Sequence, residues 1–159
     1  MRRSQSHPAV DRVVTALAEY DLHPEVVWLD DAVTTAPLAA AALGVEVGQI
    51  ANSLVFTLDD EPLLVLTSGA HRVDTTWLGH RLGGTITRAS KDTVRAATGQ
   101  VIGGVAPIGH PAALRTVVDT ELERYDQVWA AAGHAKTVFP TSCAELLRIT
   151  GGTPSPVEP

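Results

Sequence analysis

Residues 101–110 read Val-Ile-Gly-Gly-Val-Ala-Pro-Ile-Gly-His, three glycines and a proline in an apolar frame without a charged side chain. Glycine lets backbone N–H groups approach a ligand closely or sit at positive φ, and Pro107 fixes the direction of the chain between Gly104 and Gly109. Such a loop can present amide donors to an anion or to a carbonyl oxygen. A bulged hairpin or a tight bend between strands would use the same residues, so the loop alone leaves both readings open.

Other reactive residue types are sparse. His7, His23, His71, His80, His110 and His134 include no H-x-x-x-H pair and lie near no Cys or Glu cluster at ligand spacing, so no metal is expected. No G-x-S-x-G elbow, phosphate-binding P-loop or dinucleotide fingerprint occurs. Cys143 is the single cysteine. It falls in the first turn of an expected helix, where the helix dipole favours a thiolate, but on the apolar face, which fits a buried structural side chain. His110 and His134 each follow a glycine and suit either a pocket rim or a solvated loop.

The elements that must position these residues alternate between helix and strand. Val10, Val13, Val14 and Leu17 fall at i, i+3, i+4 and i+7 behind Pro8, predicting a helix over residues 8–19. Residues 25–29 read as a strand, and Thr35 caps an alanine-rich helix that stops at Gly44. Residues 53–58 and 63–67 form two apolar runs separated by Asp59-Asp60-Glu61-Pro62, the pattern of a buried hairpin. Asp74 and Ser90 cap helices ending at Gly83-Gly84 and Gly99, around a short strand at 85–88. Strands follow at 115–119, 127–131 and 137–139, with a helical turn near Glu121 and Leu122. Ser142-Cys143-Ala144-Glu145 has the form of a capping box opening a last helix.

A chain of 159 residues, 45% of them hydrophobic, is enough for one domain with a real core. Residues 1–7 are expected to be a flexible N-terminus, residues 8–151 the single domain, and the Gly- and Pro-rich residues 152–159 a disordered tail. No apolar run approaches a membrane span and no signal-peptide core follows Met1, so no membrane partner and a cytoplasmic location are expected. The net charge is −6, with 12 basic and 18 acidic residues, and Lys91 and Lys136 are the two lysines. A broad grip on a nucleic-acid backbone, DNA included, is therefore not expected, whereas a local contact with an RNA end is compatible with this balance.

Taken in order, several segments resemble one family: Gly48-Gln49-Ile50-Ala51-Asn52-Ser53-Leu54-Val55-Phe56, Arg72-Val73-Asp74, Thr98-Gly99, Gly103-Gly104-Val105-Ala106-Pro107-Ile108-Gly109, Asp119 and Ala131-Ala132-Gly133. The chain is similar to the YbaK/EbsC family of aminoacyl-tRNA deacylase domains, which includes free-standing relatives of the prolyl-tRNA synthetase editing domain. The resemblance runs over roughly residues 8 to 151. It implies a mixed α/β fold, with a curved, barrel-like mixed sheet flanked by helices and a pocket beside the glycine loop.

The implied chemistry is hydrolysis of the ester joining a wrongly attached small amino acid, such as cysteine or alanine, to the 3′ end of a tRNA, tRNA-Pro being one candidate. An aminoacyl ester is already activated, so amide donors on its carbonyl and a placed water or substrate hydroxyl suffice, with no cofactor and no protein nucleophile. The resemblance makes Asn52, Gly103 and Gly104 the catalytic candidates. Ser53 and Ser68 would supply hydroxyls, Pro107 and Gly109 would shape the loop, and Ala131, Ala132 and Gly133 would form a tight wall selecting the amino acid. One position departs from the family pattern: where relatives carry a lysine before Ser/Thr-Leu, this chain has Asn52. A neutral amide makes hydrogen bonds about half as strong as charge-assisted ones. Three outcomes follow: an active deacylase in which Asn52 orients water, a binding module that keeps the pocket without turnover, or a regulatory partner of an aminoacyl-tRNA synthetase.

Overall fold

The computed structural model describes residues 7–159. The expected flexible N-terminus thus lies outside the described residues except for His7, whose Nδ1 accepts from the Ala9 N–H at 3.2 Å and caps the first helix. Five helices are seen, α1 (Pro8–Ala18), α2 (Ala36–Leu43), α3 (Thr75–Leu82), α4 (Lys91–Thr98) and α5 (Cys143–Thr150). Their ends follow side-chain chemistry. Thr35, Asp74, Ser90 and Ser142 each accept from the backbone N–H three residues on, and Gly44, Gly83, Gly99 and Gly151 close the helices in the left-handed conformation. Only half of the expected capping box forms at α5, because the Glu145 carboxylate accepts from the Thr141 hydroxyl at 3.0 Å.

Eight strands make one mixed sheet: β1 (Val27–Trp28), β2 (Ile50–Leu58), β3 (Glu61–Ser68), β4 (Ile86–Arg88), β5 (Arg115–Asp119), β6 (Val128–Ala131), β7 (Thr137–Thr141) and β8 (Thr153–Ser155). The order is β1-β7-β6-β2-β3-β5-β8, with β4 also paired to β2. The architecture is mixed α/β as expected, and the mixed sheet is not closed, with β1 and β8 at its edges. The β2–β3 turn is tighter than the sequence suggested. Asp59 and Asp60 have φ of 49° and 71°, the left-handed pair of a two-residue hairpin turn, and Glu61 and Pro62 already belong to β3. Pro62 is tolerated because the pairing of β3 with β5 starts one residue later, at Leu63.

The main core gathers Val13 and Leu17 of α1, Leu64 and Leu66 of β3, Phe139 of β7 and Leu146 of α5. A second cluster places Leu78 of α3 against Leu63, Val65 and Val117, and a third packs Ala36, Ala39 and Ala40 of α2 on Ile50. Val14, read as part of the apolar stripe of α1, is 43% exposed.

The tail corrects an expectation. Residues 152–159 are not disordered: β8 runs parallel to β5, and Val157 is wholly buried in the second cluster. Its carbonyl accepts from the Asp74 N–H, and the Arg81 guanidinium donates to Ser155 Oγ at 2.8 Å. Gly151, at φ 63°, lets the chain reverse after α5, and the prolines favour the extended backbone of an edge strand.

Candidate active site

The site begins with an interruption in the sheet. Along one edge β2 pairs with β3 from Ala51 to Leu58, while along the other it meets β6 only at Ile50 and Ala51 and β4 only at Phe56 to Leu58. Among the described residues, no strand therefore lies beside residues 52–55 on that edge. The Ile50 carbonyl accepts from Gly69 on the β3 side, and the Asp59 N–H donates to Thr85 on the β4 side. By the alternation of an antiparallel ladder, the backbone of Ser53 turns toward the gap.

A cavity of about 350 Å³ occupies this gap. Thr34, Thr35, Ala36 and Ala39 from the start of α2 form one wall, and Ala130, Ala131, Thr137 and Val138 from β6 and β7 another. Ile102, Gly103 and Val105 of the glycine loop complete it, with Arg88 at the end of β4 and Ala89 just after it at one end. Small side chains at Ala36, Ala39, Ala130 and Ala131 keep the space open.

The structure brings Asn52, Ser53, Gly103 and Ala131 together on this cavity and leaves the other candidates outside its lining. The Gly104 N–H is taken by the Val101 carbonyl at 3.1 Å, so this amide is not a free donor as expected. A Cβ on Gly104 would come within 2.6 Å of the His134 carbonyl carbon, which makes the residue a packing contact. Ser68 is fully buried and donates to the Gly48 carbonyl at 2.8 Å. Pro107 and Gly109 border a different hollow beside Ala16 and Tyr20. Ala132 is fully buried with its N–H on Thr137 Oγ1, and Gly133, at φ 105°, lies where a Cβ would meet the backbone of Ala9 at 3.1 Å.

The glycine loop is held by a residue the sequence reading passed over. Gln100 is 2% exposed; its Oε1 accepts from the Ala106 N–H at 2.7 Å, and its Nε2 donates to the Ile108 carbonyl at 3.4 Å. His110 Nε2 bonds the Ala106 carbonyl at 2.8 Å, and burial lowers the His110 pKa despite that bond. Burial, then the nearby His7 and Lys136, lower that of His134 as well. Asp119 is structural: with no exposure, it accepts from the N–H groups of Ser68 and Glu121, both at 3.0 Å, and from Thr67 Oγ1 at 3.3 Å, with His71 Nδ1 at 3.0 Å. Burial, followed by Glu123 and Asp119, pushes the Cys143 thiol above its ordinary pKa, away from a reactive thiolate.

Two polar atoms on the cavity are unsatisfied. Ser53 Oγ and Trp129 Nε1 are both buried without a hydrogen-bond partner among the described residues, and both residues line the space. Natural proteins rarely leave buried donors unpaired, so two on one cavity mark a place where a ligand can supply acceptors. Arg88 is the one charged residue in the lining among the described residues. Among the described residues no three His, Cys, Asp or Glu side chains are arranged to hold a metal ion, and no helix is long and apolar enough to cross a membrane.

Comparison with known proteins agrees with this architecture. The structure superposes on that of a candidate trans-editing enzyme for prolyl tRNA synthetase with a TM-score of 0.91 at 38% identity, covering 98% of this chain and 99% of the other. The proline–tRNA ligase of Streptococcus equi is 31% identical over an alignment of 129 positions that covers 76% of this chain and 21% of the ligase. The uncharacterized protein YwhH of Bacillus subtilis is 27% identical over 84% of this chain and 86% of its own length. A family model described as the aminoacyl-tRNA editing domain matches residues 30–149, and the chain belongs to that family.

Proposed function

We propose that the protein is a deacylase that hydrolyses the ester of a misacylated tRNA carrying a small amino acid such as cysteine or alanine, with tRNA-Pro the first candidate. The observation that carries this reading is the pair of unpartnered donors, Ser53 Oγ and Trp129 Nε1, on a cavity of about 350 Å³ walled by alanines. A space of that size suits a small aminoacyl group joined to a ribose. Water attacks the ester carbonyl, its oxygen becomes part of the free carboxylate, and the ester C–O bond breaks. The leaving ribose oxygen takes up a proton relayed through the vicinal hydroxyl of the same sugar. Donors held on the carbonyl oxygen stabilise the charge that develops there, and removing one such donor typically costs about 10²–10³ in turnover. The reading requires no side-chain nucleophile and no metal.

One observation favours a second reading, a binding module without turnover. Among the described residues Arg88 is the only charged side chain lining the cavity, and none of them places a carboxylate or imidazole there to act as a general base. Deacylation assays on tRNA-Pro charged with alanine, cysteine, serine and proline separate the two. The proposal expects faster release of at least one small noncognate amino acid than of proline. Binding of an aminoacylated end without release of any would establish the binding module instead.

A further inference from the structure

We propose that Arg88, Lys91, Arg95 and Ile102 form the landing surface for the single-stranded 3′ end of the RNA, steering it into the cavity; this deepens the deacylase reading and rests on it. Arg88 stands at the end of β4, opposite Phe56 of β2, and its strand is tied down by the 2.6 Å bond between Thr57 and Thr87 hydroxyls. Its side chain is exposed and makes no ion pair or hydrogen bond with the described residues. A second, shallow hollow of about 240 Å³ is lined by Lys91, Arg95, Gln100, Val101 and Ile102, and it shares Ile102 with the main cavity. Lys91 and Arg95 lie at i and i+4 of α4, on one helix face, both exposed and both without a partner among the described residues.

The chemistry of this strip matches a nucleic-acid end. Three unpaired cations follow one another toward the cavity in a chain whose net charge is −6, so the anionic ligand is attracted here and repelled from the acidic remainder. Between them, Val101 and Ile102 are 46% and 58% exposed, two of four large apolar side chains left in solvent among the described residues. Unstacked bases of single-stranded RNA need an apolar surface to rest on, while their phosphodiesters need cations. A folded duplex would need a wider basic face, and Asp92, one residue from Lys91, limits the strip to a narrow track.

The test compares two hydrolysis-resistant probes, an acceptor-stem microhelix ending in a 3′-alanylamido group and the corresponding 3′-alanylamido-adenosine, which lacks phosphates. In Lys91→Gln/Arg95→Gln, microhelix affinity should fall at least about tenfold at low salt. The slope of log K against log salt should shrink by about 1.4, the contribution of two single-strand phosphate contacts. Affinity for the nucleoside probe should change less than about twofold, and an unchanged melting temperature will show that the exposed substitutions leave the fold intact. Equal losses on both probes, an unchanged microhelix slope, or no microhelix binding by the unaltered protein would overturn the proposal. Salt-dependent binding through these residues without deacylation would sink the enzymatic reading and leave the landing surface standing, whereas deacylation with no loss in the double variant would do the reverse.

Discussion

Gly104 lies against the peptide that joins His134 to Ala135, where a Cβ would stand 2.6 Å from the His134 carbonyl carbon and 2.7 Å from the Ala135 nitrogen. Neither atom can swing away, because both belong to the backbone. Gly104→Ala should therefore lower the melting temperature clearly, by an overpacking cost of about 1–3 kcal/mol, and abolish function only by displacing the loop. At Gly103 a Cβ has more room, 3.1 Å from the γ-methyl carbon of Thr34, but the φ of 95° penalises any side chain. Gly103→Ala should cost about 1–2 kcal/mol and alter ligand binding directly. Thermal melts of both variants beside binding assays will show whether the two glycines separate in this way.

Ser53→Ala and Trp129→Phe remove buried donors that have no partner within the protein. Stability should stay the same or rise slightly, since an unpaired polar group leaves the interior. Turnover of a mischarged tRNA should nevertheless fall about tenfold or more for whichever donor meets the substrate carbonyl. If both variants keep full activity, the orphaned atoms have no role in the reaction.

Asn52 lines the cavity half-buried, and its side chain forms no hydrogen bond with the described residues. Asn52→Lys should add a charge-assisted contact with the RNA end, generally worth about 1.5–3 kcal/mol, with a gain that shrinks as salt rises. Asn52→Ala should then be nearly silent. A steep loss in Asn52→Ala without a gain in Asn52→Lys would make the asparagine itself the group that places water or the substrate amine.

His110 carries a pKa below its ordinary value because burial disfavours the charged ring, and its Nε2–H donates to the Ala106 carbonyl. Below the unfolded value, near 6.5, the unfolded chain binds the proton first. Stability is thus fully present above that pH and is lost as pH falls through the folded value. His110→Gln retains a donor for the same carbonyl and should flatten the decline of melting temperature as pH falls below about 6.5. An unaltered slope would show that His110 does not carry this acid sensitivity.

Cys143 is 5% exposed and its thiol pKa is raised. It should react with a thiol reagent only as fast as the protein opens, and Cys143→Ala should keep its turnover while losing some stability to a small cavity. An inactive but folded Cys143→Ala variant would restore the nucleophile reading.

The helices were legible because their ends are written in single residues: Thr35, Asp74, Ser90 and Ser142 start them and Gly44, Gly83, Gly99 and Gly151 stop them. The tail was not, since glycine and proline describe backbone freedom and restriction but not the burial of Val157 three strands away in sequence. The cavity was legible only in part. Asn52, Ser53 and Gly103 sit in motifs, whereas Thr35, Ala36 and Trp129 reach the same space through long-range pairing of β2 with β6 and packing of α2 on Ile50. At Gly104, Gly109 and Gly133 the chain passes close to the backbone of His134, Val13 and Ala9, a long-range closeness that no local motif announces.

The interruption along β2 carries a further consequence for solubility. Free strand edges invite strands from other molecules, and proteins usually blunt them. Here the open stretch spans residues 52–55 and is stopped by β6 at one end and β4 at the other. At about 3.3 Å per residue, it offers an incoming chain too short a template to extend a ladder past either stop. The protein can leave hydrogen-bonding groups uncovered in the middle of its sheet, ready for a ligand, without seeding its own aggregation.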